Sequence, residues 1–96
     1  MNCLTLNNCG FGDTVKWHWV RKLQSSLKLN FIGIQETQML DYLKINVNEC
    51  WSDTDFDYVG VNASGRSGGL LSVWNNLVFA KQDVIKNRNY LIVVGK

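Results

Sequence analysis

Apolar and polar positions along the chain alternate between a strand rhythm and a helix rhythm. The run "CLTLNN" is short, apolar and rich in β-compatible residues, which predicts a strand. "GFGD" follows as a glycine turn, and Asp13 is placed to cap a helix running to about Leu27. At about 100° per residue, Trp19, Val20, Leu23 and Leu27 fall in one sector, with Arg21, Ser25 and Lys28 opposite. That apolar sector predicts the buried face. "FIGIQ" has no polar alternation, which predicts a strand covered on both faces. Strand, helix and strand within about 30 residues predict a βαβ unit with parallel strands and a right-handed crossover.

The rhythm changes after Thr37. A weaker helical pattern runs through Leu40, Leu43 and Val47, and "WSDTDFDYVGV" ends in a strand pattern. "NASGRSGG" reads as a flexible turn before the strand "LLSVWNN". "LVFAKQDVI" and "NYLIVVGK" flank the polar turn "KNRN", so the second half predicts an antiparallel meander. The fold class expected is α+β and strand-rich.

Composition narrows this picture without changing it. At 96 residues the chain is at most one domain, or a piece of one. A domain of this size buries about two-thirds of its unfolded surface. With 46% hydrophobic and 19% charged residues the chain is globular rather than disordered. A formal net charge of +2 neither supports nor excludes a nucleic-acid partner. Cys3, Cys9 and Cys50 lack CxxC spacing and read as small buried thiols of a reduced chain. No apolar run approaches the roughly 20 residues of a membrane span, and "MNCLTLNNCG" does not resemble a signal peptide. An intracellular protein with no membrane partner is expected.

Parallel strands present their carboxyl ends side by side, and ligands bind outside those ends. Asn7 ends the first predicted strand and Glu36 follows the second, so an amide and a carboxylate converge at one rim. Two readings of Glu36 stand on these residues alone. It ligates a hard cation such as Mg²⁺, which takes one or two carboxylates and keeps waters; or it begins a loop or caps the next helix, while Asn7 forms a turn.

"LTLNNCGFG", then "FIGIQET", then "SGRSGGLLSVWN" resemble the N-terminal part of the endonuclease/exonuclease/phosphatase superfamily. The resemblance is to the apurinic-type endonuclease domain at the front of LINE-type (non-LTR) retrotransposon polyproteins, especially those of plants. It spans residues 1–96 as a partial domain, truncated before the later catalytic motifs. The resemblance implies the N-terminal half of a four-layer αββα, DNase-like sandwich, with one mixed sheet and flanking helices. It implies that Asn7 is the active-site asparagine and that Glu36 is the Mg²⁺ ligand and catalytic carboxylate. Two readings of Arg66 stand: a contact to DNA phosphate in the intact domain, or an exposed turn arginine, the commoner case. The resemblance further implies DNA as substrate, a reverse transcriptase in the same polyprotein, and a nuclear site of action for the full element.

Two departures qualify the likeness. Leu6 stands where members usually have tryptophan, and Cys9 stands where retroelement members often have arginine, which removes a phosphate-facing charge. The later "GDFN"-like and "SDH" motifs do not occur in these 96 residues. The expectation is therefore a fragment inactive by itself, with an uncovered apolar sheet face through which copies self-associate. The alternatives are a vestigial, non-catalytic binding protein, or a phosphatase or exonuclease relative.

Other candidates lead elsewhere. His18 falls on the polar side of the helix and outside any "SDH" context. Asp53, Asp55 and Asp57 alternate as in a calcium loop, but Tyr58 and Ser64 occupy the positions that need glycine and glutamate. Among the tryptophans Trp17, Trp19, Trp51 and Trp74, a base-stacking platform is one reading. Packing is the expectation for Trp19 and Trp74.

Overall fold

A computed structural model describes residues 1–7, 10–11, 13–65 and 67–96. Strand β1 (Cys3–Asn7) pairs in parallel with β2 (Phe31–Gln35), Asn7 lying opposite Gln35. Helix α1 (Thr14–Leu27) connects them, as expected. Asp13 is its N-cap, with extended backbone and a carboxylate oxygen accepting the Val15 N–H at 2.8 Å. Such a cap contributes about 1 kcal/mol. At the other end Lys28 turns left-handed at φ 52° and the Leu29 N–H reaches back to the Gln24 carbonyl at 3.0 Å. These bonds satisfy carbonyls that a helix end leaves bare.

The buried stripe of the helix overlaps the predicted apolar sector at Val20 and half-buried Leu23 and is otherwise rotated away from it. Val20 and Gln24 are buried and Trp17 packs on the core, whereas Trp19 is 50% exposed and Leu27 53% exposed. Gln24 enters the core because its amide is fully engaged. Its Nε2 donates to the Leu29 carbonyl and to Asp53 Oδ2, and its Oε1 accepts from the Ser52 N–H and hydroxyl. A buried amide with its partners in place costs little. Trp17 likewise lodges its indole N–H on the Phe11 carbonyl.

Strand β4 (Leu70–Trp74) lies antiparallel to β2 and to β3 (Asp57–Val61), giving a mixed four-stranded sheet in the order β1-β2-β4-β3. The α+β class and mixed sheet agree with expectation. One face carries Ile32, Ile34, Leu71 and Val73, all buried, with Leu4, Leu6 and Tyr58 packed against them. Val20 of α1 joins this cluster, with Phe11, Ile45, Val47, Cys50 and Trp51 from the connecting segments. Gly60 is required here because a Cβ would collide with the Tyr42 ring.

The opposite face is finished differently. β2 is not fully buried on this side, since Phe31 and Gly33 are only half-buried. Phe31 stacks on Trp74 at 5.7 Å between centroids, and Phe79 meets Phe31 edge-on at 5.5 Å. Trp74 is fully buried, as expected, while Trp19 is not.

The predicted meander is interrupted. After Trp74 the chain turns at Asn75, whose side chain accepts the Leu77 N–H and whose carbonyl accepts those of Val78 and Phe79. It then forms a separate hairpin, β5 (Lys81–Asn87) with β6 (Tyr90–Gly95), rather than a further strand of the sheet. Lys86 fastens the hairpin to β3 by donating to the Gly60 carbonyl at 3.0 Å, with its ammonium 5.2 Å from the Tyr42 ring centroid. The hairpin partly roofs the second sheet face, leaving a cleft of about 340 Å³ lined in part by Thr5, Phe31, Gly33, Leu70, Tyr90 and Leu91. That face is therefore not wholly uncovered. Exposed apolar side chains stand instead on the outer side of the hairpin, at Ile85, Ile92 and Val94.

Among the described residues α1 is the sole α-helix. The pattern after Thr37 resolves into two 3₁₀ turns, Tyr42–Lys44 and Val47–Glu49. Leu40 and Leu43 are exposed while Val47 is buried, so the predicted helical stripe is not formed. No helix among the described residues is long and apolar enough to cross a membrane.

Candidate active-site rim at the strand ends

β1 ends at Asn7 and β2 ends at Gln35 directly opposite it, so Glu36 is the first residue beyond the paired ends. Its backbone is unusual: Glu36 and Gln38 both adopt φ 56°, in the left-handed region. For residues other than glycine this costs roughly 1–3 kcal/mol each and persists only when the surroundings enforce it.

The enforcing contacts come from both sides. The Gly10 and Phe11 N–H groups donate to the Glu36 and Thr37 carbonyls at 2.9 and 2.6 Å. From the other side, Thr37 N–H donates to the Gly69 carbonyl at 3.2 Å and Gln38 N–H to the Gly68 carbonyl at 2.9 Å. The Glu36 carboxylate accepts the Gly68 N–H at 3.2 Å, which orients it. Thr37 is buried and its hydroxyl accepts the Met39 N–H. Gly68 and Gly69 sit at φ 80° and 90°, and a Cβ at Gly69 would strike Thr37 Oγ1. The stretch read from sequence as a flexible turn is thus one jaw of a clamp. Lys16, in the first turn of α1, donates to the Gly10 carbonyl at 2.8 Å and ties the helix to the other jaw.

Asn7 and Glu36 therefore share the strand-end rim. Cys9 and Arg66 lie outside the described residues, and so does their contribution to the rim. Near Arg66 the chain is closed by reciprocal backbone bonds between Ser64 and Ser67 at 3.1 and 3.4 Å. Thr37, Gly68 and Gly69 were not singled out as site residues from sequence. The doublet of glycines was the available signal, but its partner segment lies some thirty positions earlier.

The remaining candidates lie elsewhere. His18 is exposed and pairs with Glu49. Asp53 accepts from Gln24. Cys50 is buried, and desolvation pushes its thiol up to about 12, so it is no nucleophile at neutral pH. Cys3 is exposed, against the expectation of a buried thiol. Trp51 and Trp74 are buried and offer no stacking surface. No cluster of three or more His, Cys, Asp or Glu side chains that could hold a metal occurs among the described residues. The donor set fits Mg²⁺ only as an open-sided site, with one carboxylate and the rest waters or substrate oxygens.

No protein-family model matches this sequence, and no curated protein matches it. Among solved structures, the fold is similar to that of an AP endonuclease from Leishmania major, with a TM-score of 0.58 at 17% identity. The alignment covers 80% of this chain and 24% of that protein, so the chain corresponds to about a quarter of its length. At this identity the similarity shows the fold: an AP-endonuclease-like, DNase-like α+β arrangement.

Proposed function

We propose that the chain is the N-terminal part of a Mg²⁺-dependent phosphodiesterase domain, the DNA-nicking endonuclease of a LINE-type retroelement. The observation that carries this reading is Glu36, held in a left-handed conformation beside the end of β1 by backbone bonds from two separate segments. The short alignment to a longer AP endonuclease supports the partial-domain reading, and the ordered "LNNCG", "QET" and "GRSGG" segments support the retroelement one.

Glu36 holds the cation and Asn7 hydrogen-bonds a phosphate oxygen at the same rim. When bound, Mg²⁺ stabilises charge on the scissile phosphate and the leaving oxygen. Gly68 N–H orients the carboxylate, and the clamp keeps it from folding back as an ordinary loop residue. Activation of water falls to "GDFN"-like and "SDH" segments outside these 96 residues, and the chain alone is inactive. The outer side of the hairpin, with Ile85, Ile92 and Val94, meets the remainder of the domain or, without it, another copy. In this reading the full element acts on nuclear DNA beside its reverse transcriptase.

Reading the coding DNA beyond Lys96 tests the assignment. An in-frame "GDFN"-like loop, an "SDH" and a reverse transcriptase support it; their absence favours a vestigial binding protein. Where the longer frame exists, its product nicks supercoiled plasmid with Mg²⁺, and Glu36→Ala abolishes nicking. Nicking that survives this substitution would remove the role given to Glu36.

A further inference from the structure

We infer that the corner between the β3–β4 connection and the β5–β6 turn is a phosphate subsite adjoining the Glu36 rim, with Arg88 as its cation. The inference rests on the nucleic-acid reading for the identity of the ligand, not for the existence of the subsite. A cleft of about 110 Å³ lies at this corner, lined in part by Asn62, Ser64, Ser67, Gly68, Arg88 and Asn89. The described lining contains a guanidinium, hydroxyls and amides, and no carboxylate. That donor-rich composition suits an anion, with the Glu36 carboxylate held beside the cleft on the Gly68 N–H.

The walls are fixed before any ligand arrives. Arg88 donates to Ser64 Oγ at 3.3 Å, which draws the hairpin tip onto the loop. Asn87 Oδ1 accepts the N–H groups of Asn89 and Tyr90 and sets the turn. Asn62 is held by the Tyr42 N–H at 2.9 Å. A planar guanidinium matches phosphate oxygens in a two-pronged geometry that an ammonium cannot reproduce.

Position selects the backbone phosphate of nucleic acid. Gly68 both lines the cleft and donates its N–H to the Glu36 carboxylate. A phosphodiester chain crossing the rim at Glu36 therefore has a neighbouring phosphate within reach of this corner. The hairpin turn "KNRN" thereby becomes a positioning element for substrate rather than a plain connection.

Two titrations of the full chain test this, with Arg88→Gln compared with Lys22→Gln, an equal charge change on the exposed side of α1. Inorganic phosphate should shift the amides of Ser64, Gly68 and Asn89, with about tenfold weaker affinity in Arg88→Gln only. For labelled DNA, the slope of log affinity against log salt should fall by about 1 in Arg88→Gln. Arg88→Lys should keep the slope and lose affinity, while a thermal melt confirms that each variant folds. Phosphate shifts without DNA binding would uphold the subsite and remove the nucleic-acid reading. DNA binding in which Arg88→Gln behaves as Lys22→Gln in both titrations would overturn the subsite and leave the nuclease reading intact.

Discussion

The two faces of the four-stranded sheet are built from the same strands and finished in opposite ways. Under α1, Ile32, Ile34, Leu71 and Val73 are each about 1% exposed and pack with residues from the helix, the outer strands and the connecting segments. On the other face only the Phe31–Trp74–Phe79 end is tightly stacked, and the hairpin spans the rest over a cleft of about 340 Å³. The closed face gives the chain its cooperativity. The roofed face leaves a cleft, and the strand-end rim beside it holds the residues proposed as the site.

The sharpest way to break that contrast is to remove apolar volume from each side. Ile34→Ala, on the closed face, should cost about 2–5 kcal/mol. Domains are commonly stable by only about 5–15 kcal/mol, so urea unfolding should move strongly. Ile92→Ser, on the outer hairpin, should stay within about 0.5 kcal/mol and reduce concentration-dependent association in sedimentation. Equal losses at the two positions would erase the distinction between the faces.

Gly69→Ala addresses the rim itself. Its Cβ would meet Thr37 Oγ1 at a φ that disfavours side chains, so a loss of about 2–4 kcal/mol is expected. The amide signals of Glu36 and Gln38 should move with it. An unchanged melting curve would show that the clamp is not what holds Glu36.

Cys50 reports on the closed face more gently. Burial pushes its thiol from 9.0 up to about 12, so the unfolded chain releases this proton first as pH rises. The group's stabilising contribution is complete below about pH 9 and is lost as pH climbs toward 12. Stability should therefore fall more steeply between pH 9 and 11 than in Cys50→Ala, which lacks the titration. With a thiol reagent and peptide mapping, Cys3 should label in the folded chain and Cys50 only on unfolding.

The legible parts of the fold were those fixed by nearby residues. Asp13 capped the predicted helix, the "FIGIQ" run made the second strand, and their linkage implied the parallel pair. What escaped was set by distant partners. Gln24 takes a core position because of Ser52 and Asp53, which no helical periodicity reveals. The hairpin leaves the sheet because of the Asn75 turn and the packing of Phe79. The site divides in the same way. Asn7 and Glu36 were visible as strand-end residues, whereas the Gly68–Gly69 jaw and the Arg88 corner exist only once chain segments meet.

The most direct test of the central claim is a Mg²⁺ titration of the chain followed residue by residue by amide chemical shift. Millimolar Mg²⁺ should shift Glu36, Gly68 and Gly10, and Glu36→Gln should abolish the response. Shifts that persist unchanged in Glu36→Gln, or no shift at the rim, would contradict a metal-binding role for Glu36.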